Sequence, residues 1–167
     1  MIGKNFEIAE NPEILIDKDF DSKLVQLEGV KLGDDYNKIN LLDIVEIHLR
    51  NCIEPYANFA ERLEQFKNYD GGIHMTGKES FVIKNQKIAN IMLYGKYIDS
   101  LKQYNEQKII DVHGEPNKVW NDDLEDEKIL GYSDKRLYFF IDRNTKRINQ
   151  VIIGEVIEYQ YRTPSFW

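Results

Sequence analysis

Two short apolar runs, Ser80-Phe81-Val82-Ile83 and Ile88-Ala89-Asn90-Ile91-Met92-Leu93, flank the polar tetrapeptide Lys84-Asn85-Gln86-Lys87. Apolar runs of this length split by a polar turn predict a β-hairpin. The chain then changes period. Tyr97, Ile98, Leu101 and Tyr104, followed by Ile109, Ile110 and Val112, suggest helix, and Gly114 with Pro116 supplies a stop. Residues 87–116 therefore read as strand, turn, helix and stop. A chain that makes this switch in its middle has to pack helices against an antiparallel sheet.

The flanking segments extend the same alternation. Residues 6–16 predict a strand, a turn at Asn11-Pro12 and a second strand, and a further strand is expected from Phe20 to Leu27. Gly29 and Gly33 punctuate its exit, and Asp34-Asp35 is a candidate cap. In 36–51, Ile39, Leu42, Val45 and Leu49 fall at helical spacing, and Leu41, Ile44 and Ile47 widen the apolar face. That pattern predicts a helix, with Glu46 and Arg50 paired at i,i+4. A second helix is expected to start at Pro55, carry Tyr56, Phe59, Leu63 and Phe66 inward, and end before Tyr69-Asp70-Gly71-Gly72. After Pro116 the chain reads as a meander. Val119-Trp120 opens a strand, and Ile129–Tyr132 and Leu137–Ile141 are two more. The last runs from Arg147 or Ile148 to about Ile157.

The fold class is thus α+β, an antiparallel sheet with helices packed on one face. Residues 1–167 form a single domain with two related helix-plus-sheet halves, 1–95 and 96–157, and a C-terminal tail, 158–167. Phe166 and Trp167 in the tail are expected to dock on the body or on a neighbour. The halves are suggested by repetition. Lys23-Leu24-Val25-Gln26-Leu27, Lys87-Ile88-Ala89-Asn90-Ile91 and Arg147-Ile148-Asn149-Gln150-Val151 share a cation, an aliphatic, two variable residues and an aliphatic. Spacings of about 60 residues are long for a solenoid, so the reading is three hairpins of one kind, with helices after the first two.

Val112-His113-Gly114-Glu115-Pro116, then Gly131-Tyr132, Leu137-Tyr138-Phe139-Phe140-Ile141-Asp142 and Ile148-Asn149-Gln150-Val151, carry a family likeness. On these residues the segment 98–153 resembles the tandem-repeat domain of β-lactamase-inhibitor proteins and the related small outer-membrane-assembly lipoproteins. The resemblance implies helices packed on an antiparallel sheet and protein binding as the task. The chain departs from that family in lacking a signal peptide, a lipobox cysteine and disulfide pairs, and no functional residue carries over.

Composition narrows the chemistry. A net charge of −7 and a pI near 5.0 oppose nucleic-acid binding, which draws on a basic field. The N-terminus lacks the apolar core of a signal peptide, and no apolar run approaches the roughly 20 residues of a membrane helix. No membrane role is expected. Cys52 is the single cysteine, which excludes an internal disulfide and a CxxC zinc cluster and suits a reducing cytoplasm. His48 and Cys52, at i,i+4 on the expected helix, would be half a metal site at most. His113 before Gly114 reads as a helix-stop residue. Phosphate loops, serine elbows and EF-hands are missing, and no cofactor is indicated.

What remains is the acidic run Asp122, Asp123, Glu125, Asp126 and Glu127, interrupted by Leu124 and expected to be a surface loop. Its field would steer a basic protein partner. The first functional expectation is a non-catalytic protein-binding module of the bacterial immunity or inhibitor kind. One alternative is a ligand-binding protein or enzyme with a pocket lined by Tyr94, Tyr97, His113, Trp120 and Tyr132. Another is a self-associating structural module, and the oligomeric state stays open.

Overall fold

The structure is a computed structural model and describes residues 5–39, 44–52, 58–75 and 79–155. The fold is α+β, built on an eight-stranded antiparallel sheet. In chain order its strands are β3 (Glu46–Leu49), β4 (Gly71–His74), β5 (Glu79–Lys84), β6 (Lys87–Leu93), β7 (Lys118–Asp122), β8 (Glu127–Tyr132), β9 (Leu137–Asp142) and β10 (Ile148–Gly154). A separate parallel pair consists of β1 (Phe6–Glu7) and β2 (Val25–Gln26). Two α-helices, α1 (Phe59–Glu64) and α2 (Glu106–His113), and several 3-10 turns complete the described chain.

The spatial order is β3-β4-β5-β6-β10-β9-β8-β7. Each four-strand run is a meander, and the two meet through their last strands. Val151 lies opposite Leu93 and Ile153 opposite Ile91 at that seam. The patterns at 87–91 and 147–151 therefore sit on neighbouring central strands. The third copy, 23–27, lies elsewhere: only Val25–Gln26 is strand, and it pairs in parallel with β1.

Local chemistry explains most elements. The β5–β6 hairpin turns on Asn85 and Gln86 at φ 50° and 69°, the two left-handed residues of a tight hairpin whose twist matches its strands. Asn58 and Asn105 cap α1 and α2 by accepting from Glu61 N at 2.9 Å and Lys108 N at 3.1 Å. Gly114, at φ 82°, ends α2 in a conformation that disfavours a side chain. Gly71 is needed for space, since a Cβ there would collide with the backbone carbonyl of His48 on β3.

Several expectations are corrected. The described residues of 36–51 do not form the expected helix: a 3-10 turn spans Tyr36–Lys38 and β3 covers Glu46–Leu49, while Leu41 and Leu42 lie outside the described residues. Val45 is 56% exposed beside buried Ile44 and Ile47, and a β-branched segment of this kind suits a strand. The i,i+4 spacings of Glu46–Arg50 and His48–Cys52 assumed a helix, and Glu46 and His48 lie on strand β3 instead. Pro12 opens a 3-10 turn, Pro12–Ile16, where a second strand was expected. Two 3-10 turns, Gly95–Tyr97 and Asp99–Gln103, replace the helix expected over 97–104. The helix expected from Pro55 is described only from its cap at Asn58, and Pro55 lies outside the described residues.

Side chains separate onto two sheet faces. The buried apolar residues of the helices and 3-10 turns, such as Leu15, Phe66, Leu101 and Ile109, share one core with Phe81, Ile91, Phe139 and Ile153 of the sheet. A smaller cluster on the other face holds Met92, Trp120, Ile129, Phe140 and Ile152 among others. Among the described residues, no helix is long and apolar enough to cross a membrane.

Candidate functional site

The acidic run is the connection between β7 and β8, and the structure divides it. Asp122 ends β7 and is buried, and its Oδ1 accepts from Leu124 N at 3.0 Å and Glu125 N at 3.2 Å. This short carboxylate turns the chain by holding its own loop. Glu127 begins β8, opposite Asp122, and is also buried. Asp123, Leu124 and Glu125 face solvent and Asp126 is half-buried. Of the five acids expected on a surface loop, Asp122 and Glu127 lie beneath it.

The turn between β9 and β10 holds this loop. Arg143 Nε donates to Asp126 Oδ1 at 2.8 Å, and its Nη2 lies 3.0 Å from Asp123 Oδ1. Asn144 Nδ2 donates to Asp126 Oδ2 at 2.6 Å, and Arg143 N donates to the Asp126 carbonyl at 2.9 Å. Asp142 orders the clamp by accepting from Asn144 N at 2.8 Å and Thr145 N at 2.9 Å. Sequence reasoning saw Asp142–Thr145 only as a turn and missed Arg143 and Asn144. The one signal was an arginine in a predicted turn, and it becomes meaningful only once β8 and β9 are paired.

Two consequences follow for electrostatics. Arg143 pairs with both Asp123 and Asp126 and neutralises part of the negative field, and exposed Glu125 carries the rest outward beside the Arg143–Asp123 pair. Leu124 is 63% exposed between Asp123 and Glu125. Asn121, Asp122, Asp123 and Leu124 line a shallow depression of about 390 Å³. The outer flank of the site is β7 itself, the last strand of the sheet, where Val119 is 46% exposed. The arrangement is an apolar tip with an acidic rim on a braced hairpin.

Glu127 is held differently. Burial pushes its carboxyl above the ordinary carboxylate range; the 2.7 Å bond from Asn149 Nδ2 opposes this, and Asp122, Glu125 and Asp142 add to it. The folded state then binds more protons than the unfolded one above about 4.5, the group's ordinary value, and stability falls as pH rises through that window. Glu127→Gln keeps an acceptor for Asn149 and removes the charge. It is expected to leave stability at pH 7 unchanged or raise it by about 1 kcal/mol, read as a Tm rise of ~2–4 °C. A clear fall in Tm would show that the buried charge is stabilising.

The pocket alternative meets a different geometry. Tyr97, His113 and Tyr132 belong to the helix-covered side, whereas Trp120 packs in the opposite cluster with Tyr94 at its border. The sheet separates them, so the five do not line one cavity. His113 is buried in contact with Phe20, Tyr132 and Phe139 rings at 6.4, 5.5 and 5.8 Å. Tyr132 Oη donates to the Gly114 carbonyl at 2.8 Å, and burial pushes its hydroxyl up to about 12. These groups form a structural core. Among the described residues, no cluster of His, Cys, Asp or Glu could hold a metal ion.

No protein-family model, curated protein or solved structure matches the chain.

Proposed function

We propose that the chain is a non-catalytic protein-binding module, of the immunity or inhibitor kind, that meets a basic partner with the β7–β8 hairpin tip. The observation that carries this reading is Leu124, 63% exposed between Asp123 and Glu125 on a loop clamped by Arg143 and Asn144. A large apolar side chain on a pre-ordered tip suits an interface anchor, because little entropy is lost when it is buried. The two flanking carboxylates give a rim that selects a basic surface and speeds encounter. The resemblance of 98–153 to inhibitor proteins points the same way. The division of the five aromatics between two faces disfavours the pocket reading.

The test is affinity capture from the native host with the full chain and with a Leu124→Ser, Asp123→Lys, Glu125→Lys variant. All three positions are exposed, so the fold is expected to be kept. A partner bound by the wild-type chain is expected to lose at least ~10-fold in affinity to the variant, and its association rate to fall steeply with salt. Equal retention by both chains would remove the hairpin from the interface.

A further inference from the structure

The strand that leads into the acidic tip is also a sheet edge. β7 is last in the order, and among the described residues no strand pairs with its outer side. It is regular. Lys118 to Asp122 face Gly131 to Glu127 residue by residue without a bulge, and Pro116 lies before the strand rather than within it. Natural sheets blunt an edge with a bulge, an internal proline or a very short strand, and β7 has none of these. Its lysine stands at the first position, with Nζ 5.7 Å from the centroid of the Trp120 ring. Val119 is 46% exposed in the strand, and Asn121 is exposed as well. An edge of this kind offers backbone N–H and C=O groups to a further strand.

The charges along the edge select that strand. The Lys118 cation lies at the start, and Asp122, Asp123 and Glu125 lie at the end and just beyond it. The three residues between Lys118 and Asp122 are uncharged. A parallel copy of β7 would set cation against cation and carboxylate against carboxylate, which destabilises a strand pair. An antiparallel copy brings each cation to the other chain's carboxylates. We infer that the occupant is a second copy of this chain, joined β7 to β7 about a two-fold axis at Trp120.

With Trp120 opposite its own counterpart, Lys118 falls opposite Asp122 of the second copy and beside its Asp123. Val119 falls opposite Asn121. Asp122 Oδ1 already holds its own loop, whereas the Asp123 side chain is 86% exposed while it contacts Arg143. Asp123 is therefore the carboxylate that meets Lys118. The contact uses the same surface on both copies and closes at two. It does not depend on the partner proposed for Leu124, because antiparallel strands carry the two tips to opposite ends of the seam.

The experiment measures mass by sedimentation equilibrium on the full chain over a dilution series. A contact between two short strands is small, so the wild-type chain is expected to be dimeric when concentrated. It is expected to dissociate on dilution, and more readily in high salt. Lys118→Asp sets carboxylates against one another across the seam, and Asp123→Lys sets cations against one another. Each variant alone is expected to dissociate at least ~10-fold more readily. Mixed in equal amounts, the two are expected to regain a dimer, since each clash then becomes a pair. Circular dichroism checks the fold. A Val119→Lys chain, with a cation on the middle of the edge, replaces a variant that is unfolded and is expected to be monomeric. A wild-type chain still monomeric at about 1 mM would overturn the pair. So would a dimer whose mass none of the variants changes, a mixture that stays monomeric, or growth beyond two copies.

Discussion

Phe139→Ala is expected to destabilise the fold by about 3–5 kcal/mol, measured by urea unfolding at neutral pH. Phe139 is 0% exposed at the middle of β9, paired across to Leu130 on one side and Val151 on the other. Its ring lies 5.8 Å from His113 at the end of α2 and 6.3 Å from Tyr132 on β8. Truncation removes the surface on which α2 meets the sheet, and the paired strands on both sides cannot move in to fill the space. The loss combines lost transfer energy with a residual cavity. For a chain of this size it corresponds to a Tm fall of roughly 10 °C. A loss below about 1 kcal/mol would mean that this ring does not occupy the centre of the core.

The second large effect is a pH dependence centred on His113. Nε2 lies 2.8 Å from the Leu15 carbonyl, which only accepts, and Nδ1 lies 2.9 Å from Lys135 Nζ, which only donates when charged. The partners define a neutral ring with its proton on Nε2. This ring joins α2 to the Pro12–Ile16 turn and to the turn after β8. Burial lowers its pKa below the ordinary 6.5; the Leu15 carbonyl and Asp17 oppose that, and Lys135 adds to it. The unfolded chain therefore takes up a proton near 6.5 while the folded one does not. Stability is full above that value and falls as pH drops through the window down to the folded pKa. The slope from this group approaches about 1.4 kcal/mol per pH unit within the window. His113→Gln retains a donor for Leu15 and does not titrate, so it is expected to lose some stability at pH 7.5 and to flatten the decline below pH 6.5. An unchanged slope would place the acid sensitivity elsewhere.

His113 also illustrates the limits of local reading. Its place before Gly114 and Pro116 correctly suggested a helix end, because a stop is written in adjacent residues. The bond to Leu15, 98 residues away in sequence, has no local trace. The hairpin at Asn85-Gln86 was legible for the same reason as the helix stop, since its turn chemistry is contained in four residues. Residues 36–51 misled because their apolar residues satisfy a helical spacing, whereas the sheet recruits Glu46–Leu49 as an edge strand. Short apolar segments carry both periods, and pairing with β4 decides between them. The acidic run was visible as a cluster of charge, but its division was not. Burial of Asp122 and Glu127 follows from strand register, and the Arg143 clamp follows from the pairing of β8 with β9.

By itself the sequence determined the α+β class, the central hairpin, the meander after Pro116 and the acidity of the chain. These depend on spacings of two to four residues and on counts. The tertiary structure alone decided that two four-strand meanders join through β6 and β10, that the five aromatics divide between two faces, and that only part of the acidic run meets solvent. Each of these depends on which distant strands pair, and pairing is set by burial summed over the whole sheet rather than by any local preference.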